Sequence, residues 1–159
     1  MDVLREFFER HSLPAEPLVH VRKAKLMRDW WNAFAAPHKQ PGLKWPDISN
    51  DSLWEIFSTG CVPCFEGEAA WDAFSQFVPG RLIIVPDSRC SMYDCDATGC
   101  ADFSALIQDL ENFLATEGTD CLDTYLIDID FRWTWAFTHE TSWSLGPYFA
   151  TAEHETRSH

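Results

Sequence analysis

Six cysteines, at positions 61, 64, 90, 95, 100 and 121, are the first residues whose type and spacing bear on chemistry. Cys61-Val-Pro-Cys64 has the spacing of half a structural zinc site, which needs four soft ligands in a tetrahedron. The other half is missing, because Cys90, Cys95 and Cys100 stand five residues apart and form no second Cys-x-x-Cys. A redox pair is expected after a strand and at a helix N-terminus, where the thiol pKa falls. Cys61 and Cys64 instead lie between two helical patterns. The pattern predicts free, partly buried thiols acting as small apolar groups, with no metal and no cofactor.

His139-Glu140 is the second candidate, since an imidazole titrates near neutrality and can serve as a general base. Adjacent residues on an extended backbone point to opposite faces, so the pair does not aim at one atom. No nucleophile motif, phosphate-cradling glycine loop or HExxH helix accompanies it. Thr138, His139 and Glu140 are expected to hydrogen-bond the loop that follows them. Asp123, Asp128, Asp130, Glu140 and Glu153 gather around the same region without the spacing of a calcium loop. They read as an acidic rim, and no catalytic residue is assigned.

These residues are carried by Thr124 to Phe149, which holds two runs with strand character, Thr124–Ile127 and Arg132–Thr138, joined by Asp128-Ile129-Asp130-Phe131. β-Branched and aromatic side chains on either side of a short polar link predict a hairpin. Trp133, Trp135 and Phe137 alternate with smaller or polar residues and fall on one face. Upstream, RLIIV at 81–85 reads as a buried strand, and Leu18–Val21 as an edge strand. Helical spacing appears at residues 2–12, in RKAKLMRDWWNAFAA, after an Asn50-Asp51-Ser52 cap, and from Glu68 to Phe77. It is clearest behind an Asp102 cap, with Phe103, Leu106, Ile107, Leu110, Phe113 and Leu114 on one stripe. Residues 38–47 and 87–100 read as loops.

The order predicts a single α+β domain over residues 1–152 with a polar tail at 153–159. About five helices cover one face of a small, largely antiparallel sheet made of the C-terminal hairpin and a central strand. Residues 82–128 leave room for one parallel pairing.

The formal charge is −13. Residues 1–45 carry eight Lys/Arg against five Asp/Glu, and residues 46–159 carry four against twenty, a formal +3 and −16. Such an acidic surface repels nucleic acid and steers basic partners toward it. No apolar run reaches the roughly 18 residues of a membrane span, and the N-terminus lacks a signal peptide's apolar stretch. The expectation is a cytoplasmic protein that binds neither membrane nor nucleic acid.

Three segments, LWEIFS at 53–58, EGEAAWDAF at 66–74, and YLIDIDFRWTWAFTHE with GPYF at 125–140 and 146–149, resemble a bacterial domain-of-unknown-function family, number 4275. The resemblance implies a small cytoplasmic bacterial protein, with Trp133, Thr138, His139, Glu140, Gly146, Pro147, Tyr148 and Phe149 among the shared residues. The cysteines are no part of it.

Two functions are compatible with these residues. One is a binding protein, most specifically an immunity-type protein that neutralises a basic toxin domain by occlusion. The other is a small enzyme or ligand-binding module with a pocket beside Thr138-His139-Glu140. The residues expected to bind are Asp128, Asp130, Trp133, Thr138, His139, Glu140 and Tyr148.

Overall fold

A computed structural model describes residues 2–38, 53–86, 90–117, 123–140 and 145–152. The expected cap at Asn50-Asp51-Ser52, the acidic Glu153 and the polar tail lie outside them. Helix α1 spans Val3–Arg10 and begins on an Asp2 side chain that accepts from the Leu4 amide at 3.1 Å. α2 spans Lys23–Phe34, α3 Glu55–Ser58, α4 Glu68–Phe74 and α5 Phe103–Thr116. The α5 cap is the expected one, Asp102 accepting from Ala105 N at 3.0 Å. α4 stops at Phe74, where Ser75 caps it, three residues before the expected end.

The strands are β1 Ala15–Pro17, β2 Phe65–Glu66, β3 Arg81–Val85, β4 Tyr93–Asp96, β5 Thr124–Asp128, β6 Trp133–Phe137 and β7 Tyr148–Thr151. They form one sheet in the order β1-β4-β3-β5-β6-β7-β2. The predicted α+β class holds, but the sheet is larger than a hairpin with one central strand. Every pairing is antiparallel, so the room left for one parallel pairing is not used: β3 runs against both β4 and β5. The stretch read as a loop at 87–100 contains β4, where Met92, Tyr93 and Cys95 are buried and Asp94 and Asp96 are half-buried. Aspartates on the alternate positions give this strand a loop-like composition. The edge strand lies at Ala15–Pro17 rather than Leu18–Val21, and Val19 and Val21 are exposed.

Helices cover both faces of the sheet, not one. Leu4, Phe7 and Phe8 of α1, Phe74 of α4 and the apolar stripe of α5 pack with Leu82, Ile84, Leu126, Trp133, Trp135 and Phe149. Met27, Trp30, Trp31 and Phe34 of α2, with Ile56 and Phe57 of α3, pack with Ile83, Val85, Tyr125, Ile127, Ala136 and Tyr148. Alternation along a strand explains the split, since β3 sends its even-numbered residues to one core and its odd-numbered ones to the other. Thr134 is polar yet buried: its hydroxyl accepts from Trp30 Nε1 at 2.8 Å and donates to the Leu126 carbonyl at 2.9 Å. That relay ties α2 to the middle of the sheet.

Candidate functional site

The residues expected to bind fall at three places. Asp128 and Asp130 lie at the turn of the β5–β6 hairpin. The Asp128 carboxylate is buried and accepts from Arg132 N at 3.0 Å, Arg132 Nε at 2.8 Å and Arg132 Nη2 at 2.9 Å. Burial would raise its pKa, and the Arg132 hydrogen bonds and charge outweigh that, holding the carboxyl below the usual aspartate range. This carboxylate closes a turn. Trp133 is buried between Phe74, Phe77 and Phe103, on the face of the sheet away from Tyr148. It is a core residue.

Thr138, His139, Glu140 and Tyr148 do come together, at the opposite end of β6 from the hairpin turn. The Asp123 carboxylate, just before β5, accepts from His139 N at 2.8 Å and stands 3.0 Å from His139 Nδ1. Thr138 Oγ1 accepts from the Glu140 amide at 3.2 Å. These bonds tie the segment to itself and to Asp123, and the Leu145 amide donates to the Glu140 carbonyl at 3.3 Å; the following loop at 141–144, to which the segment was expected to bond, lies outside the described residues. Trp54 sets its ring edge-on to His139 at 5.7 Å and stacks on Tyr148 at 6.3 Å, while its amide donates to Tyr125 Oη at 2.9 Å. β7 enters through a cis Gly146–Pro147 bond, with Gly146 at φ 76°. The positive φ calls for glycine at Gly146, and a Cβ there would also lie tight against the Tyr148 ring, at 3.2 Å.

β2 adds one residue that the sequence pattern did not single out. Glu66 is directly opposite Tyr148 in the β2–β7 register, and Glu66 Oε1 accepts from Gly146 N at 3.2 Å. The Tyr148 hydroxyl is pushed up to about 12 by burial, then by the charges of Glu66 and Glu140. Burial, with a contribution from Glu66, likewise pushes the Cys64 thiol up to about 11. A thiol held protonated in this way is a poor nucleophile, contrary to what a redox pair requires.

Cys61, Cys64, Cys95 and Cys100 are free, as expected for small buried or half-buried groups. Cys90 is disulfide-bonded, which corrects the expectation that the thiols are free. Among the described residues no three His, Cys, Asp or Glu side chains converge as metal ligands do.

A second feature lies on the face covered by α1, α4 and α5. A hollow of about 640 Å³ opens between the end of α1 and the start of α5, lined by Asp96, Asp102 and Asp109 over Leu13 and Leu106. It adjoins another of about 650 Å³ between α4 and α5, lined by Glu68, Asp72 and Trp71, and the two share Asp102 and Ala105. Among the described residues no Lys or Arg lines either hollow. Asp96 is held below the usual aspartate range by hydrogen bonds from Thr98, so it stays charged. Sequence spacing alone does not bring Asp96, Asp102 and Asp72 together, because the strand order sets β4 and α4 on either side of α5.

A family model described as Domain of unknown function (DUF4275) matches residues 19–149. The chain belongs to the DUF4275 family. No curated protein and no solved structure matches it. The DUF4275 match takes in β2 to β6, all the described helices but α1, and the first two residues of β7. The two acidic hollows of this DUF4275 protein are thus built mainly from residues within the match, with His11 to Pro14 added from before it.

Proposed function

We propose that this DUF4275 protein is an acidic cytoplasmic binding protein of the immunity type, which neutralises a basic toxin domain by occluding it. The observation that carries the reading is the pair of adjoining hollows along α5, lined among the described residues by five carboxylates and no Lys or Arg. Carboxylates gathered over a half-apolar floor suit long basic side chains, whose stems are apolar and whose heads are charged. Complementary charge raises the association rate and rejects wrong partners more than it raises affinity. The −16 segment, which supplies all five carboxylates, extends the same field over the surface. Among the described residues no helix is long and apolar enough to cross a membrane, which is compatible with this placement.

The test begins with capture from host lysate at low salt and identification of any stoichiometric basic protein. Its association rate is then measured across ionic strength with the wild type and with Asp72→Lys and Asp109→Lys, both at exposed helix positions. The expected result is a rate that falls steeply with salt and falls further in the variants. A rate indifferent to salt and to both substitutions overturns the reading.

A further inference from the structure

The chain is strongly acidic, yet four of its twelve Lys and Arg fall within residues 22–28, and no carboxylate stands between Glu16 and Asp29. The stretch begins in the bend after β1. Val19 there is 75% exposed and Val21 40% exposed, with His20 and Arg22 exposed beside them. α2 then starts on Arg22, whose side chain makes no capping hydrogen bond, and its first turn carries Lys23 and Lys25 and no acid. Cations at the positive end of a helix dipole are unfavourable, so this segment gains from an anionic neighbour. Lys23 turns back to the Pro86 carbonyl at 3.2 Å, whereas the Lys25 side chain stays three-quarters exposed even with Asp29 at 3.1 Å. Exposed apolar groups ringed by charge mark interaction surfaces. This one suits a partner surface that is acidic and partly apolar. The hollow between α1 and α5 has that composition, with Asp96, Asp102 and Asp109 over Leu13 and Leu106. Within one chain the two are held apart, α2 packing on one face of the sheet and α5 on the other.

We propose that the segment from Val19 to Lys25 docks in the adjoining acidic hollows of a second copy of this chain. Its valines cover the leucine floor while Arg22 and Lys25 meet the carboxylate rim, and their apolar stems extend the same cover. The proposal rests on the hollows that carry the functional reading, but it needs no other protein. Segment and hollow are different surfaces, so the contact is heterologous and does not close on itself. Each added copy presents a fresh segment on one face and a fresh hollow on the other. The net charge of −13 opposes any such meeting at long range, and only the local pairing of opposite signs offsets it. Association is therefore weak and depends on orientation. A neighbour seated in the hollow also covers it, so a basic partner competes with the chain's own segment.

The test uses the full chain alone, by sedimentation equilibrium from micromolar to millimolar protein. The expected result is a weight-average mass that rises with concentration and passes that of a pair. Arg22→Glu with Lys25→Glu reverses the segment, and Asp72→Lys with Asp109→Lys reverses exposed positions of the hollows. Either pair of substitutions should hold the protein monomeric. For the second pair the sign decides, because it lowers the net negative charge. Association through the proposed contact then falls, whereas association governed by overall charge rises. An equimolar mixture of the two variants should form pairs and stop there, since one intact hollow meets one intact segment and neither copy has a further site. That recovery also shows that both variants are folded. Wild-type chain that stays monomeric throughout overturns the proposal, as does association that survives either reversal. The two readings fail separately. A monomeric chain that still binds a basic protein at a salt-dependent rate keeps the functional reading and overturns this one, while a self-associating chain whose binding rate is indifferent to salt and to substitution does the reverse.

Discussion

At the scale of single residues, Thr134 is the polar atom on which the most structure rests. Its hydroxyl serves Trp30 on one side and the Leu126 carbonyl on the other, all within a dry interior. Thr134→Val keeps the shape and removes both bonds, leaving the indole N–H without an acceptor. The expected loss is about 1–3 kcal/mol, the cost of one unsatisfied buried donor, read as a lower denaturant midpoint at unchanged slope. Asp128 gives a pH-dependent counterpart. Its folded pKa lies below the ordinary value, so its contribution is present in full above the unfolded aspartate pKa of about 3.9 and disappears as pH falls through the folded value. Asp128→Asn should cost roughly 1–2 kcal/mol at neutral pH, a modest figure because Arg132 is half exposed and stays solvated. Below pH 4 the gap between variant and wild type should narrow. A gap that stays constant from pH 7 to pH 3 would remove Asp128 from the account of acid sensitivity.

At the scale of elements, α5 depends on its first residue. Asp102 occupies the Ala105 amide, and Asp102→Ala should cost about 1 kcal/mol while leaving the packed stripe in place. Amide exchange would show the effect as faster opening confined to the first turn. This helix was legible in the sequence because cap, spacing and length agreed. The β5–β6 hairpin was legible for the same reason, with strand ends displaced by one residue. β4 was hidden because two of its four residues are aspartates, and its inward Tyr93 and Cys95 stand on a strand too short to show periodicity. β2 and β7 were hidden by length, since two and four residues give no repeat to read. Of the candidate site, Thr138, His139, Glu140 and Tyr148 could be grouped from their spacing around one turn. Glu66 could not, because only the strand order sets β2 beside that turn.

At the scale of the whole molecule, the net charge of −13 sets a repulsion that no single pair offsets. The exposed ion pairs, such as Lys25 with Asp29 and Arg10 with Glu117, add little in water. Added salt should therefore stabilise this chain. Raising ionic strength from about 0.01 to 0.15 M shortens the screening length from roughly 30 to 8 Å. Tm should rise over that interval, and a fall would mean that local ion pairs outweigh the long-range field. One consequence follows from the two outermost strands. An open sheet offers its rims to any passing extended chain, and growth by strand addition is the usual route from a soluble fold to a fibre. Here one rim is three residues long and ends in Pro17, which has no amide to donate, and the other is two residues long and carries Glu66. The molecule keeps seven strands in register, yet gives a neighbour almost nothing to continue from.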